Sequence, residues 1–421
     1  MSAMWERMGI TFSEPIRDPL WRNIMVPAEF VGILESPAFI KLSRIMQLGP
    51  AQLVYPGATH TRRAHSIGVF EMAKRVLQSI DAHAEIDFVD ASGARGFLVA
   101  ALCHDLGHFP YAHSLKELPL REHESLTADV VRGPLAAAVR AAGADPEFVA
   151  AIVDKDLPDP GPGATRQLAL FRSLLSGVLD PDKLDYLNRD AWSCGVPYGL
   201  QDVDFTLQHL GLDASGRPGI GSRGIMAVEA VLFSKYQMYR AVYWHKSVRA
   251  ATAMIKKAVV ESLQSGAVKA QDLYGLDDQG FYSLMAGGRR SGLIQAVFDG
   301  ALFKPCLELP FDPANKACAR AASLATRSGM ESELARQSGA ADVVIDVPEP
   351  ISFESDLPII DTKATFSTSA TVFRPEVVQS FTASLRVLRV FADAESARTG
   401  AVAAAAAELF ASPGRLRNPA K

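Results

Sequence analysis

Apolar residues recur along most of this chain at intervals of three and four, the spacing that lines one face of an α-helix. Phe30, Ile33, Leu34, Phe39, Leu42, Ile45 and Met46 follow it, and predict helix from residue 28 to the stop at Leu48-Gly49-Pro50. Ile67, Val69, Phe70, Met72, Ala73, Val76, Leu77 and Ile80 predict a helix over residues 61–80. Residues 97–103 are apolar throughout, so the helix predicted over 96–106 is buried on every side. Further helices are predicted over 122–131, 135–140, 168–179 and 272–300, and one begins at Pro181, a residue suited to a first helical turn. Residues 227–264 read as one long helix. Strand signals are fewer: an extended pair around 16–26, a hairpin within 211–224, and pieces at 343–347, 359–361, 371–373 and 384–391. The pattern predicts a mainly α protein. A helical bundle fills residues 1–300, and a smaller α+β subdomain follows over 301–421, ending in a frayed tail from residue 412.

Composition narrows the class. The 421 residues carry 43 basic and 47 acidic side chains, a net charge of −4. No polybasic block speaks for nucleic acid as a partner, although a positive pocket for a small anion is compatible with this total. No stretch of about 18 apolar residues predicts a membrane span. Cys103, Cys194, Cys306 and Cys318 are too scattered for a disulfide framework or a structural zinc site. Residues 1–14 lack the basic-then-apolar order of a signal peptide, and we expect a cytoplasmic protein.

The candidate chemistry lies between residues 60 and 190. His60, His65, His104, His108, His113 and His123 are six of the nine histidines. Arg62 and His65 share a helical face. His104 and Asp105 end the buried helix, where ionisable groups cost free energy unless paired or metal-bound. With Asp182, this makes two imidazoles and two carboxylates, a set that suits a divalent Mn, Fe, Co, Ni or Zn ion. Any one of these residues alone reads more simply as a hydrogen-bonded structural side chain.

In their order, the phrases resemble the HD phosphohydrolase superfamily, and within it the dNTP triphosphohydrolase-like branch. They are Gln47-Leu48-Gly49, Tyr55-Pro56-Gly57-Ala58-Thr59-His60-Thr61-Arg62, His65-Ser66-Ile67-Gly68-Val69, Cys103-His104-Asp105-Leu106-Gly107-His108, His123-Glu124, residues 182–190 and Gly195-Val196-Pro197-Tyr198-Gly199. The resemblance covers about residues 14–260. It implies an HD-domain helical bundle with a metal core at 60–190, and hydrolysis of a deoxynucleoside triphosphate to deoxynucleoside and triphosphate. It implies that His65, His104, Asp105 and Asp182 hold a divalent metal ion (Mn, Mg, Fe, Co, Ni or Zn). His123 would be the general acid, with His108 and His113 lining the same site. Arg62, Lys183 and Lys235 would face the phosphates. Tyr186, Asp190 and Gln47 would surround the sugar, with Tyr243 and His245 near the pocket. A homo-oligomer is implied as well. Lys235 and Tyr239 stand where animal members carry arginine and histidine, and Lys116 stands where they carry an aspartate that orients the catalytic histidine; Glu117 or Glu124 could replace it. These departures keep two further readings open, hydrolysis of another phosphoester and a nucleotide-sensing or nucleic-acid-binding regulator.

Overall fold

A computed structural model describes residues 3–83, 86–161, 165–351, 353, 356–362 and 364–411. The tail expected to fray from residue 412 lies outside the described residues. Helices dominate, and the sheets among the described residues have two, two and three strands. The mainly α fold with a smaller α+β part, expected from the periodicity, is therefore observed.

The chain opens with an antiparallel hairpin, β1 (Glu14–Asp18) and β2 (Arg22–Val26), in register from Glu14 opposite Val26 to Asp18 opposite Arg22. The helix expected from residue 28 is broken into short turns. Pro37 lacks an N–H and holds the residue before it extended, so Ser36 ends one segment and caps the next by accepting from Phe39 N at 3.2 Å. Four helices then frame the candidate site: α1 (Arg62–His83), α2 (Ala91–Cys103), α3 (His123–Arg132) and, after α4 (Pro146–Val153) and α5 (Thr165–Leu175), α6 (Pro181–Cys194). Helix α2 is wrapped by α1, α4 and α5, which explains why residues 97–103 are all apolar and all buried.

The hairpin expected within 211–224 is β3 (Leu210–Leu212) with β4 (Pro218–Ile220). The single long helix expected over 227–264 is not formed. Instead α7 (Ile225–Met238) runs into a π-helical turn at Tyr239–Tyr243, and α8 (Lys246–Gln264) starts anew with His245 as its cap. The apolar spacing continues through the break, so periodicity alone could not reveal it.

Beyond residue 300, β5 (Lys304–Pro310), α9 (Lys316–Ala322), α10 (Leu324–Ser338), β6 (Val343–Asp346), α11 (Pro375–Leu385) and β7 (Val387–Ala392) form the three-stranded sheet, in the order β5-β7-β6, and its helices. Strand β5 was not expected, because Pro305 and Pro310 argue against a strand; it lies at the sheet edge, where proline is tolerated. The strands expected at 359–361 and 371–373 are absent: Ile359 makes only an isolated bridge to Ile220. Phe353, Leu357, Ile359, Phe366 and Phe373 instead pack into the apolar core shared with α1 and α2.

Candidate metal centre and its surroundings

Each candidate ligand sits at a helix end or on a buried helix face. The chain at Ile45–Gln47 is stitched to the start of α1 by Gln47 N donating to His60 O at 3.0 Å and Arg62 N donating to Ile45 O at 3.0 Å. His65 then falls one turn into α1. His104 caps α2, and its Nδ1 lies 2.9 Å from Ala101 O, so a proton there leaves Nε2 free to ligate. Asp180 caps α6 by accepting from Lys183 N at 2.7 Å, and Asp182 lies in the first turn, where the helix dipole favours a carboxylate.

These elements bring three of the four expected ligands, His65, His104 and Asp182, together, with Asp105 beside His104. His65 Nε2 is 2.9 Å from Asp182 Oδ1, and His104 Nε2 is 3.8 Å from the same oxygen. Asp105 Oδ1 lies 3.4 Å from His104 Nε2. Ligand atoms of His65, His104 and Asp182 are all within 4.8 Å of one another, a group that could hold a metal ion. The electrostatics agree. Burial disfavours a charged His65, yet hydrogen bonds to Asp182 and Asp185 push its pKa up to about 10. Positive charge is wanted between these side chains. The donor set fits a divalent cation.

Around this set is a support that the sequence reading did not assign. His65 Nδ1 is 2.8 Å from Asp185 Oδ2. Asp185 is fully buried and also accepts from Arg189 Nε at 2.8 Å, Arg189 Nη2 at 2.9 Å and Trp21 Nε1 at 2.5 Å. Arg189 Nη1 reaches back to Asp18 Oδ2 at 2.8 Å. Burial works against the Asp185 carboxylate, but Arg189 and His65 hold its pKa well below the usual carboxylate range. The signal was present in the sequence: Asp182, Asp185 and Arg189 fall three and four residues apart, on one helix face. Gly68 makes room for the pair, because a Cβ there would meet Asp185 Oδ1 at 1.9 Å.

The other half of the site is a histidine cluster. The His108 and His123 rings stack with centroids 3.9 Å apart; His113 lies 4.7 Å from His108 and 5.2 Å from His123. Burial holds all three well below the ordinary imidazole pKa, assisted by the positive charge of Arg62. His108 Nε2 lies 3.1 Å from Asp105 Oδ1 without the alignment of a hydrogen bond. Arg62 Nη1 donates to Asp105 Oδ2 at 2.8 Å, and its Nε is buried with no hydrogen-bond partner among the described residues. Of the two glutamates considered beside His123, Glu124 is the one in contact, with Oε2 3.1 Å from His123 Nδ1. Glu117 is turned to Lys256 and Arg327.

Asp190 is gripped by Tyr243 Oη, which donates at 2.7 Å, and by His60 Nε2 at 2.8 Å. His60, counted above among the clustered histidines but given no role, is thus a partner of Asp190. Tyr186 stands with its ring 6.4 Å from that of Tyr243. The π-helical turn is what carries Tyr243 to Asp190, a use of such turns that recurs at functional sites. Gln47 Oε1 is buried with no hydrogen-bond partner among the described residues. Three other expected residues have local contacts. Lys183 Nζ donates to Asp180 Oδ2 at 2.6 Å and Gly177 O at 2.8 Å. Lys235 Nζ lies over the Phe353 ring at 5.3 Å. His245 Nδ1 accepts from Ser247 N at 3.3 Å, as the cap of α8.

Residues 211–411 match the family described as HD associated region. An uncharacterised protein of Methanocaldococcus jannaschii is 32% identical over 273 residues, covering 64% of this chain and 54% of that protein. The deoxynucleoside triphosphate triphosphohydrolase SAMHD1 of Danio rerio is 25% identical over 290 residues, covering 61% of this chain and 47% of that one. A crystal structure of a phosphohydrolase from Bacteroides thetaiotaomicron shares the fold with a TM-score of 0.70 at 21% identity, covering 90% of this chain and 100% of that one. The chain spans about half the length of the curated relatives it matches. Over these stretches the chain is similar to HD-domain proteins. Among the described residues no helix is long and apolar enough to cross a membrane.

Proposed function

We propose that this protein is a metal-dependent phosphohydrolase that acts on deoxynucleoside triphosphates, releasing deoxynucleoside and triphosphate. The observation that carries the reading is the convergence of His65, His104, Asp105 and Asp182 beside the stacked His108 and His123. The relatives named as deoxynucleoside triphosphate triphosphohydrolases support the substrate class. A divalent ion held by the four ligands would polarise a phosphoryl oxygen and lower the pKa of a water molecule. The remaining work falls to side chains of this chain. Arg62, anchored by Asp105, turns its unpartnered Nε toward an incoming phosphate. The phosphate's negative charge offsets the burial and the Arg62 field that hold His123 neutral. His123, aligned by Glu124, can then deliver a proton to the departing 5′-oxygen, help worth roughly 10²–10⁴ in rate. Asp190, fixed by His60 and Tyr243, and Tyr186 bracket the sugar, and Gln47 offers its free amide oxygen to a hydroxyl. Assembly into a homo-oligomer and a cytoplasmic location are part of the same proposal.

A second reading, a phosphoester with fewer phosphates, is favoured by Lys183 and Lys235, whose ammonium groups lie against Asp180 and Phe353. Product analysis separates the two. Purified protein is incubated with each dNTP and NTP in Mn²⁺, Mg²⁺, Co²⁺ or Fe²⁺, with a His104→Ala/Asp105→Ala variant as blank. Deoxynucleoside with intact triphosphate, lost in the blank and on chelation, is expected. Orthophosphate or pyrophosphate would move the assignment to the second reading. Tight dNTP binding without turnover in any metal would refute both and leave a nucleotide-sensing protein.

A further inference from the structure

The segment between His113 and His123 is held against α8 and the C-terminal α10, and its polar contacts to both pass through one buried carboxylate. Glu117 is only 8% exposed at its side chain. It takes a hydrogen bond from Lys256 Nζ on α8, and its Oε2 accepts from Arg327 Nη2 on α10 at 2.9 Å. Arg327 is aimed by its other bonds, Nε to Ala321 O at 2.7 Å and Nη2 to Ala322 O at 3.1 Å, and is itself buried. Leu115 and Leu118, on either side of Glu117, are buried in the apolar cluster that includes Met254 and Val344. The C-terminal unit is joined to the same face of α8 by further buried ion pairs, Arg249 with Asp346 at 2.5 Å and Lys257 with Asp342 at 2.6 Å and Glu331 at 3.2 Å. Buried, hydrogen-bonded charge pairs of this kind fix register more than they add stability.

From this geometry we infer that Glu117 is a positioning residue, through which Arg327 and Lys256 hold the His113 and His123 side chains at the reaction centre. The inference rests on the phosphohydrolase reading for its effect on rate. Glu117 touches no ligand of the metal and no expected substrate residue in the contacts described above; it acts on the backbone that carries the histidines. The C-terminal unit is therefore a working part of the acid half of the site, although it contributes no expected site residue.

The test uses the full chain. Arg327→Met removes the charge and keeps most of the side-chain bulk. With dATP and Mn²⁺ it is expected to lower kcat at least tenfold and up to about 100-fold, because catalytic groups displaced by about 1 Å lose that much. KM and Mn²⁺ affinity should stay within twofold. Arg327→Lys should recover most of the rate. Glu117→Gln should behave as Arg327→Met, and the double variant should be no worse than either single one, since both remove one link. Amide hydrogen exchange provides a readout that does not need turnover: residues 112–123 should lose protection in Arg327→Met, while α1 and α6 keep theirs. Unchanged exchange over 112–123, or a rise in KM at constant kcat, would overturn the inference. If the wild-type protein turns over no phosphoester while exchange over 112–123 still depends on Arg327, the functional reading fails and the positioning contact stands.

Discussion

Replacing Asp185 with asparagine tests the orientation of His65 with almost no change of shape. The native carboxylate accepts from four donors: His65 Nδ1 and Arg189 Nε at Oδ2, Trp21 Nε1 and Arg189 Nη2 at Oδ1, at distances of 2.5–2.9 Å. Asparagine has one acceptor oxygen and an NH₂ group that can only donate. If its oxygen stays toward Trp21 Nε1 and Arg189 Nη2, the NH₂ faces both His65 Nδ1 and the Arg189 Nε donor. That nitrogen must then give up its proton, and the neutral ring carries it on Nε2, the atom that faces Asp182. The tautomer that can ligate a metal becomes the wrong one. If the amide is turned the other way, Trp21 Nε1 and Arg189 Nη2 meet a donor inside the protein, and each unsatisfied group costs about 1–3 kcal/mol. Loss of a partner behind a metal-bound histidine typically lowers affinity about 10–100-fold, or roughly 1.4–2.7 kcal/mol. Isothermal titration of the folded variant with Mn²⁺ should show that weakening, together with a lower melting temperature. A folded Asp185→Asn protein that binds Mn²⁺ as tightly as wild type would refute the argument that Asp185 sets the His65 tautomer.

Three more substitutions follow from the same contacts. Gly68→Ala places a Cβ 1.9 Å from Asp185 Oδ1 and 2.3 Å from Arg189 Nη2, both locked in place, and the overpacking should cost about 1–3 kcal/mol, seen as a lowered melting temperature; an unchanged melt would mean the pair can shift freely. Tyr243→Phe removes a donor to the charged Asp190, a bond worth about 1.5–3 kcal/mol, and kcat/KM should fall roughly 10- to 100-fold; unaltered kinetics would take Asp190 out of the substrate site. Burial pushes the Asp278 pKa up to about 6, against a hydrogen bond from Met46 N and the charge of Arg62. Its folded value lies above the unfolded value near ~3.9, so the native state gains by keeping the proton, and that gain is complete below about pH 4 and lost as pH rises through about 6. Asp278→Asn, which can still accept from Met46 N, should therefore be more stable than wild type at pH 7.5 by up to about 3 kcal/mol and no more stable at pH 4 in paired urea titrations; an equal difference at both values would contradict the sign.

The candidate metal ligands were legible before the fold because the helix ends near them are marked by Pro181, Asp180 and the apolar run before His104, and because the phrases around them resemble a known family. Its supports were not assigned, for two physical reasons. Asp185 and Arg189 lie on the legible face of α6, but the partners that reveal their role, Asp18 and Trp21, come from a hairpin far away in sequence. Tyr243 meets Asp190 only because the helix changes pitch at Tyr239–Tyr243, and apolar spacing of three and four continues across that change. Likewise Glu117 was considered only as a partner of the histidine, and its pairing with Lys256 and Arg327 appears only once α8 and α10 are in place around it.

These supports divide the site in a way the ligands alone do not suggest. His65 depends on the N-terminal hairpin, through Asp185, Arg189 and Asp18. His113 and His123 flank Glu117, whose partners Lys256 and Arg327 lie in α8 and the C-terminal unit. The two halves meet at Asp105, whose Oδ1 lies near both His104 and His108 and whose Oδ2 accepts from Arg62. A perturbation of the hairpin should therefore appear first in metal affinity, and a perturbation of the C-terminal unit first in kcat. Asp18→Asn and Arg327→Met make that comparison directly. Asp18→Asn leaves Arg189 with one anionic partner, and should weaken Mn²⁺ binding while hydrogen exchange over residues 112–123 stays as in wild type. Arg327→Met should do the reverse. If both variants altered metal affinity and exchange together, the two supports would act as one cooperative unit, and the division drawn from their separate contacts would be wrong.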